Sequence, residues 1–283
     1  MKLCRYGPPG EERPALIDTN GHLRDLGNHL ADLTAGSVTP DILQNLAQLQ
    51  PATLPAVAGT PRLGPPLRNI GKFIGIGLNY RDHARETGQP VPAEPILFLK
   101  ATSCIAGPDD PIRKPPHSTR LDWELELGVV IGSTARYVNE ENALQHVAGY
   151  CIVNDVSERG FQFQSSQWDK GKGCDSFGPI GPWLVTRDEI PDPQRLDMWL
   201  DVNGVRRQTG NTADMIFSVA QLIAYCSRYM TLLPGDVIST GTPAGVGMGQ
   251  RPEPVWLNPG DHIRLWIENL GEQNQQVVAA QPD

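Results

Sequence analysis

The sequence predicts an α+β protein in which β-structure dominates and a small N-terminal domain precedes a larger one. Composition is the first reason: 29 glycines and 26 prolines in 283 residues favour turns and short strands over long helices. Turn placement is the second. Pro234-Gly235-Asp236 and Pro259-Gly260-Asp261 each feed an apolar run, at 237–240 and 262–267, which suggests a closed or rolled β-structure. A hydrophobic share of 39% is enough for a substantial core.

The elements follow in order. Residues 14–18 and 22–26 flank Asn20-Gly21 and read as a hairpin. A helical segment near 40–48 comes next, then a proline-punctuated connector over 51–66. The boundary is placed near 65: 1–65 as a small N-terminal β/α domain with its Pro-rich connector, 66–283 as the larger domain. Residues 72–77 read as a strand, 79–88 as a helical turn or loop, and 96–99 as a buried strand ending at Lys100. An acidic strand occupies 121–131. Residues 139–147 suit a short helix capped by Asn139, and 150–156 another strand. The best helix is 212–228, where Ile216, Val219, Ala220, Ile223 and Cys226 recur at helical spacing; this face suits core or dimer contact.

A net charge of −8 argues against general nucleic-acid binding, while leaving room for a small anionic substrate held by local cations. The five cysteines are scattered without a CxxC pair, which reads as reduced thiols in a cytosolic protein and gives no zinc framework. The first ten residues lack an apolar run, and nothing approaches a membrane span, so a soluble, cytoplasmic protein is expected.

The acidic strand carries Asp122, Glu124 and Glu126 alternating with Trp123, Leu125 and Leu127. On a strand this spacing puts the carboxylates on one side. Acidic residues are poor strand formers and neighbouring like charges repel, so a bound divalent cation would rationalise the row. The strand alone leaves a solvated sheet face as an equal reading. Asp155 ends an apolar strand, where a buried carboxylate is costly unless paired. It is either a third ligand or a strand-end turn residue. Glu124, Glu126 and Asp155 would form an all-oxygen site, which favours Mg²⁺ or Mn²⁺ over zinc. His83 and Glu86 are three apart, so on a helical turn the carboxylate can hold the imidazole in one tautomer and make it a better base. The run 240–247 is glycine-rich but lacks the end of a phosphate loop, and reads as a wall that a ligand approaches closely. Trp168 and Trp266 read as packing residues.

These pieces resemble the fumarylacetoacetate hydrolase superfamily over most of 65–283. The resemblance rests on the runs Gly77 to Glu86, Pro95 to Lys100, Asp122 to Gly128, Asn154 to Gln162, Trp168 to Gly173, Phe177 to Pro179 and Thr240 to Pro243, taken in order. It implies a mixed β-sandwich roll behind the small N-terminal domain, usually as a homodimer. It implies Glu124, Glu126 and Asp155 as Mg²⁺ or Mn²⁺ ligands, Lys172 (rather than Lys170) as a cation beside the metal, and Arg159, Gln162 and Thr242 as substrate contacts. Asp122 is then expected to support the ligands by hydrogen bonding.

The expected activity is metal-dependent hydrolysis of a C–C bond in a 2,4-diketo acid, releasing pyruvate, with His83, Glu86 and Lys172 as the catalytic residues. Residues 167–179 and the chain start resemble members acting on 2,4-diketo-3-deoxy-rhamnonate or -fuconate. Alternatives are an oxaloacetate-type decarboxylase, a 2-hydroxymuconate-type isomerase or decarboxylase, or a silent metal- or sugar-acid-binding protein. The expected partner is a small 2-oxo acid, with neither nucleic acid nor membrane.

Overall fold

The computed structural model describes residues 1–280. Its largest sheet has eleven strands, and the main path runs Leu23–Asp25, Arg13–Ile17, Lys2–Tyr6, Gly178–Thr186, Val147–Asn154, Leu125–Ile131, Val237–Ser239, Phe73–Gly77, Ile96–Lys100. A five-stranded sheet runs Val205–Asn211, Asp197–Val202, His262–Ile267, Gly271–Ala279, Ile112–Lys114. Both sheets are mixed: Val237–Ser239 is parallel to Phe73–Gly77, and Gly271–Ala279 to Ile112–Lys114. Buried amides stitch the sheets together, Gln273 donating to the carbonyls of Ile152 and Gly181 and Asn154 donating to Gln275. The α+β, β-rich class read from the sequence is the one observed.

The N-terminal hairpin forms as expected, with Gly21 at φ +82° and the Asp18 carboxylate accepting from the amides of Asn20 and His22. The large sheet continues across the expected boundary at 65. Lys2 and Leu3 pair with Val185 and Leu184, so the N-terminal strands extend the sheet. Both Pro-Gly-Asp turns hold, with Gly235 and Gly260 at positive φ. All five cysteines are free thiols. No helix among the described residues is long and apolar enough to cross a membrane.

Three expectations need correction. The longest helix is Val219–Tyr229, not 212–228. Ser218 starts it: its hydroxyl accepts from Gln221 N at 3.3 Å and the Gln221 side chain accepts from Ser218 N at 2.9 Å, a reciprocal cap that fixes the first turn. The strand Ile96–Lys100 is only partly buried, and Leu99 is 49% exposed, because it forms the edge of the large sheet. The acidic run is not one strand. Leu121–Asp122 pairs with Ser157–Glu158 in a separate ladder, and Leu125–Ile131 begins after a break at Trp123-Glu124. It also has no wet face: Asp122, Glu124 and Glu126 are 0, 4 and 1% exposed, and Trp123, Leu125 and Leu127 are fully buried behind them.

Candidate metal centre and active-site cavity

Strand pairing assembles the acidic group. Leu125 stands opposite Asn154 in the antiparallel ladder, so Glu124 and Asp155 meet where the two strands end. The Asp155 amide donates to Glu124 O at 2.8 Å. Glu126 lies two residues further into its strand, and its Oε2 accepts from Ser239 Oγ at 2.6 Å and Gly241 N at 2.9 Å. Glu124, Glu126 and Asp155 each place a carboxylate oxygen within 4.8 Å of the others, all buried. Three anions this close and this dry are strongly unfavourable without compensation. The strain shows in Glu126: burial first, then Asp155 and Glu124, push its carboxyl up to about 8. Glu124 behaves oppositely. Burial opposes its ionisation, but Arg159 and Lys172 hold it well below the usual range. The all-oxygen donor set and its unneutralised member fit a hard divalent cation.

Three buried cations share the cluster. Lys172, at the end of the short helix Asp169–Lys172, places Nζ 2.6 Å from both Glu124 Oε2 and Asp155 Oδ2. Lys170 points away to Gln164 at 3.1 Å, so the geometry selects Lys172 of the two. Burial acts to lower the Lys172 pKa, yet Asp155 and Glu124 raise it above the ordinary value, so it stays an ammonium. Arg159 donates to Asp122 Oδ2 at 2.8 Å, Glu124 Oε1 at 2.6 Å and Gln162 Oε1 at 3.0 Å. Its fork is thus occupied by protein groups, and its main contact is with the acidic cluster. Asp122 also accepts from the amides of Trp123, Gly247 and Met248. It is a hub that fixes Arg159, as expected of a supporting group.

Lys100 was missed by sequence reasoning. Its Nζ bonds Asp155 Oδ1 and donates to Lys172 O at 2.5 Å, with a side chain 0% exposed. The signal was present: a charge ending the apolar run 96–99 faces the same cost that singled out Asp155. Ser239 and Gln208 were also missed. Gln208 accepts from Leu125 N at 3.0 Å and donates to Thr242 Oγ1 at 2.8 Å, holding the strand that carries Glu126.

A cavity of about 490 Å³ opens over this cluster, and His83, Glu124, Glu126, Arg159, Gln162, Lys172 and Thr242 all line it. Asp155 and Glu86 stand behind the wall and act on it through Lys172 and His83. His83 and Glu86 lie on the helix Arg81–Glu86, with His83 Nδ1 3.3 Å from Glu86 Oε2. Glu86 Oε1 accepts from Gly245 N at 2.9 Å, which aims the carboxylate at the ring. Of the 240–247 run, expected as a close wall, Thr242 lines the cavity, and the run's amides grip carboxylates: Gly241 holds Glu126, Gly245 holds Glu86, Gly247 holds Asp122. A Cβ at Gly247 would strike Val255 O, and one at Gly249 would strike the Glu86 carboxylate. Trp168 is not a simple packing residue. It lines the cavity against Phe98, with ring centres 5.6 Å apart and planes at 58°. Trp266 does pack, stacked on Trp199 at 6.0 Å on the small sheet.

A buried acidic triad flanked by a histidine–glutamate pair, on this mixed β-roll, defines an enzyme site suited to a divalent metal. Comparison with known proteins gives the family. The fumarylacetoacetate (FAA) hydrolase C-terminal domain matches residues 72–278, and the chain belongs to that family. A relative from Burkholderia ambifaria, named no more closely than as a hydrolase, is 60% identical over 278 residues, 98% of this chain and 99% of its own. The structure of fumarylacetoacetate hydrolase from Exiguobacterium antarcticum superposes with a TM-score of 0.85 at 38% identity, covering 99% of this chain and 100% of that one. Maleylpyruvate hydrolase from Sphingobium sp. SYK-6, solved with manganese(II) and pyruvate, superposes with a TM-score of 0.84 at 30% identity, covering 99% and 100%.

Proposed function

We propose that this protein hydrolyses a C–C bond in a 2,4-diketo acid of the acylpyruvate type, releasing pyruvate and a carboxylic acid, with Mg²⁺ or Mn²⁺ as cofactor. The observation that carries the reading is the convergence of His83–Glu86 and Lys172 on the cavity that Glu124 and Glu126 line. A divalent cation held by Glu124, Glu126 and Asp155 would supply Lewis-acid stabilisation of the enolate that forms when the bond breaks. His83 donates Nδ1–H to Glu86, which leaves Nε2 to take a proton from water. The hydroxide adds to the C4 carbonyl, the C3–C4 bond breaks, and its electron pair passes into the pyruvate enolate. The proton on His83 then returns to C3, giving pyruvate. Lys172 places a permanent positive charge beside that enolate. Arg159, Gln162 and Thr242 shape the floor on which the 2-oxo acid sits, and a homodimer is the proposed assembly.

The reading is supported by pyruvate in the crystal of the Sphingobium maleylpyruvate hydrolase. The test is a pyruvate-release assay of Mg²⁺- or Mn²⁺-loaded protein with acylpyruvates and oxaloacetate side by side. Release from acylpyruvates that collapses in His83→Ala is the expected result. Turnover of oxaloacetate alone, or full activity in His83→Ala, would overturn it.

A further inference from the structure

The cavity has two unlike ends. The inner end holds the charges. The other side of the lining is aromatic, Phe98 tilted against Trp168 with the exposed Phe163, and is called the outer end. Its two main rings rest on glycines of one strand. A Cβ at Gly75 would collide with Phe98, and a Cβ at Gly77 with Trp168. The strand thus omits two side chains where the rings lie against it. Lys172 Nζ sits 5.1 Å from the Phe98 ring centre, so that ring begins where the charged end stops. Phe163 is 56% exposed at the mouth, an apolar surface that a ligand would remove from water.

The charged groups and hydroxyls near this wall are already engaged. The Thr87 hydroxyl turns back to the carbonyls of His83 and Ala84, at 2.9 and 3.3 Å. Gln162 Oε1 accepts from Arg159, and the Thr242 hydroxyl donates to Leu125 O at 2.8 Å. The lining cations Arg159 and Lys172 are each paired with buried carboxylates at the inner end. Among the described lining residues, the polar groups near this wall without a protein hydrogen bond are the Gln89 side chain, Gln162 Nε2 and Trp168 Nε1, and none of them carries a charge. A tail carrying a second carboxylate would meet no unpaired cation there, and one with several hydroxyls would find only these few neutral groups in place of water.

We infer that the Phe98–Trp168 wall is the acyl subsite, and that it selects an uncharged, apolar acyl group, best a flat aromatic or unsaturated one. This rests on the acylpyruvate reading and narrows it: the polyhydroxylated sugar-acid tail expected from residues 167–179 does not suit the wall. Flat groups suit it because they can lie against tilted aromatic rings. The inner end sees the same 2-oxo acid in every case, so the tail alone sets the ranking.

The test uses the full-length, Mn²⁺-loaded protein. Benzoylpyruvate should exceed acetylpyruvate in kcat/KM by about tenfold or more, as expected for a ring transferred from water. Fumarylpyruvate and 2,4-diketo-3-deoxy-rhamnonate should fall below benzoylpyruvate. Trp168→Ala should collapse the benzoyl-to-acetyl ratio towards one, and a ratio taken within one variant cancels any loss of folded protein. Equal or better turnover of the carboxylated or hydroxylated substrates, or an unchanged ratio in Trp168→Ala, would overturn the inference. Binding separates it from the hydrolysis reading. If no acylpyruvate yields pyruvate but 4-phenyl-2-oxobutanoate still binds about tenfold tighter than 2-oxobutanoate and 2-oxoglutarate, the subsite stands and the hydrolysis fails. If pyruvate is released but the phenyl tail gains nothing in turnover or binding, the subsite fails and the hydrolysis stands.

Discussion

Two dense charge clusters can be compared within this chain. One ties the N-terminal segment down: Arg5 meets Asp32 at 2.7 Å, and Arg62 meets Glu12 at 3.0 Å and Asp110 at 2.6 Å, with Arg68 at 3.5 Å from Asp32. Each carboxylate there has an arginine, and four of the members, Arg62, Asp110, Arg68 and Asp32, are partly exposed. Burial works against Glu12, but Arg62 and Arg5 keep its pKa below the ordinary value. The second cluster surrounds the cavity: Asp122, Glu124, Glu126 and Asp155 against Arg159, Lys172 and Lys100, all buried. There the carboxylates outnumber the cations, and Glu126 is the one without a cation in hydrogen-bonding reach. A balanced network holds a fold together; an unbalanced, buried one is set up to receive something positive.

The largest effect should come from separating the chemistry from the charge balance. His83→Ala removes the proposed base but no member of the triad, so kcat should fall by about 10²–10⁴, while Mn²⁺ affinity by calorimetry stays within a few-fold. A parallel loss of metal affinity would place His83 inside the unbalanced cluster rather than beside it.

Breaking the buried cluster comes next. Lys100→Met leaves Asp155 Oδ1 without its ammonium at zero exposure, and should cost about 3–5 kcal/mol in urea unfolding of the metal-stripped protein. A cost below ~1 kcal/mol would show that the interior pair behaves like a surface one.

Acidity gives the third measurement. In metal-stripped protein the Glu126 carboxyl is raised to about 8. A raised carboxyl keeps its proton in the fold after the unfolded chain has lost it. That contribution to stability is present below the ordinary carboxylate range and is lost as pH rises through about 8. The stripped protein should therefore lose Tm across that window. Metal must displace this proton, so apparent Mn²⁺ affinity should climb by up to about tenfold per pH unit until pH 8 and then level off. Glu126→Gln should flatten the fall in Tm, and an equally steep fall in that variant would refute the assignment.

The smallest effect belongs to the balanced cluster. Arg68 is 55% exposed and 3.5 Å from Asp32, so Arg68→Ala should shift unfolding by less than about 1 kcal/mol and leave kcat unchanged.

The two clusters also show what was legible in the sequence. Asp155 could be read because a carboxylate closing an apolar strand violates the cost of burial. Lys100 violates it in the same way at the end of 96–99, yet a lysine at a strand end reads as an exposed tip until the strand's position is known. That position is decided by pairing with Phe73–Gly77, a contact far along the chain. Alternation flagged Glu124 and Glu126 together with Asp122, and only the family resemblance separated them; the break at Trp123-Glu124 was not legible, because Ser157–Glu158 draws Asp122 into its own ladder. The helix start at Ser218 was readable in principle from Ser218 and Gln221 three apart; the apolar period drew the boundary too early. Trp168 was read as packing because a tryptophan carries no sign of which side of a wall it faces.

The glycines at 75 and 77 give the cavity a property of their own. The candidate metal ligands are fixed by strand register, which cannot be altered piecemeal, whereas the outer wall lies where two methyl groups are missing. Alanine at either position would push a ring off the strand and reshape the pocket without changing any of its charged residues. Under the proposed acyl subsite, tail length would be adjustable by adding one methyl group at a time on the strand Phe73–Gly77. New tail preferences could be acquired in this scaffold while its reaction stays the same.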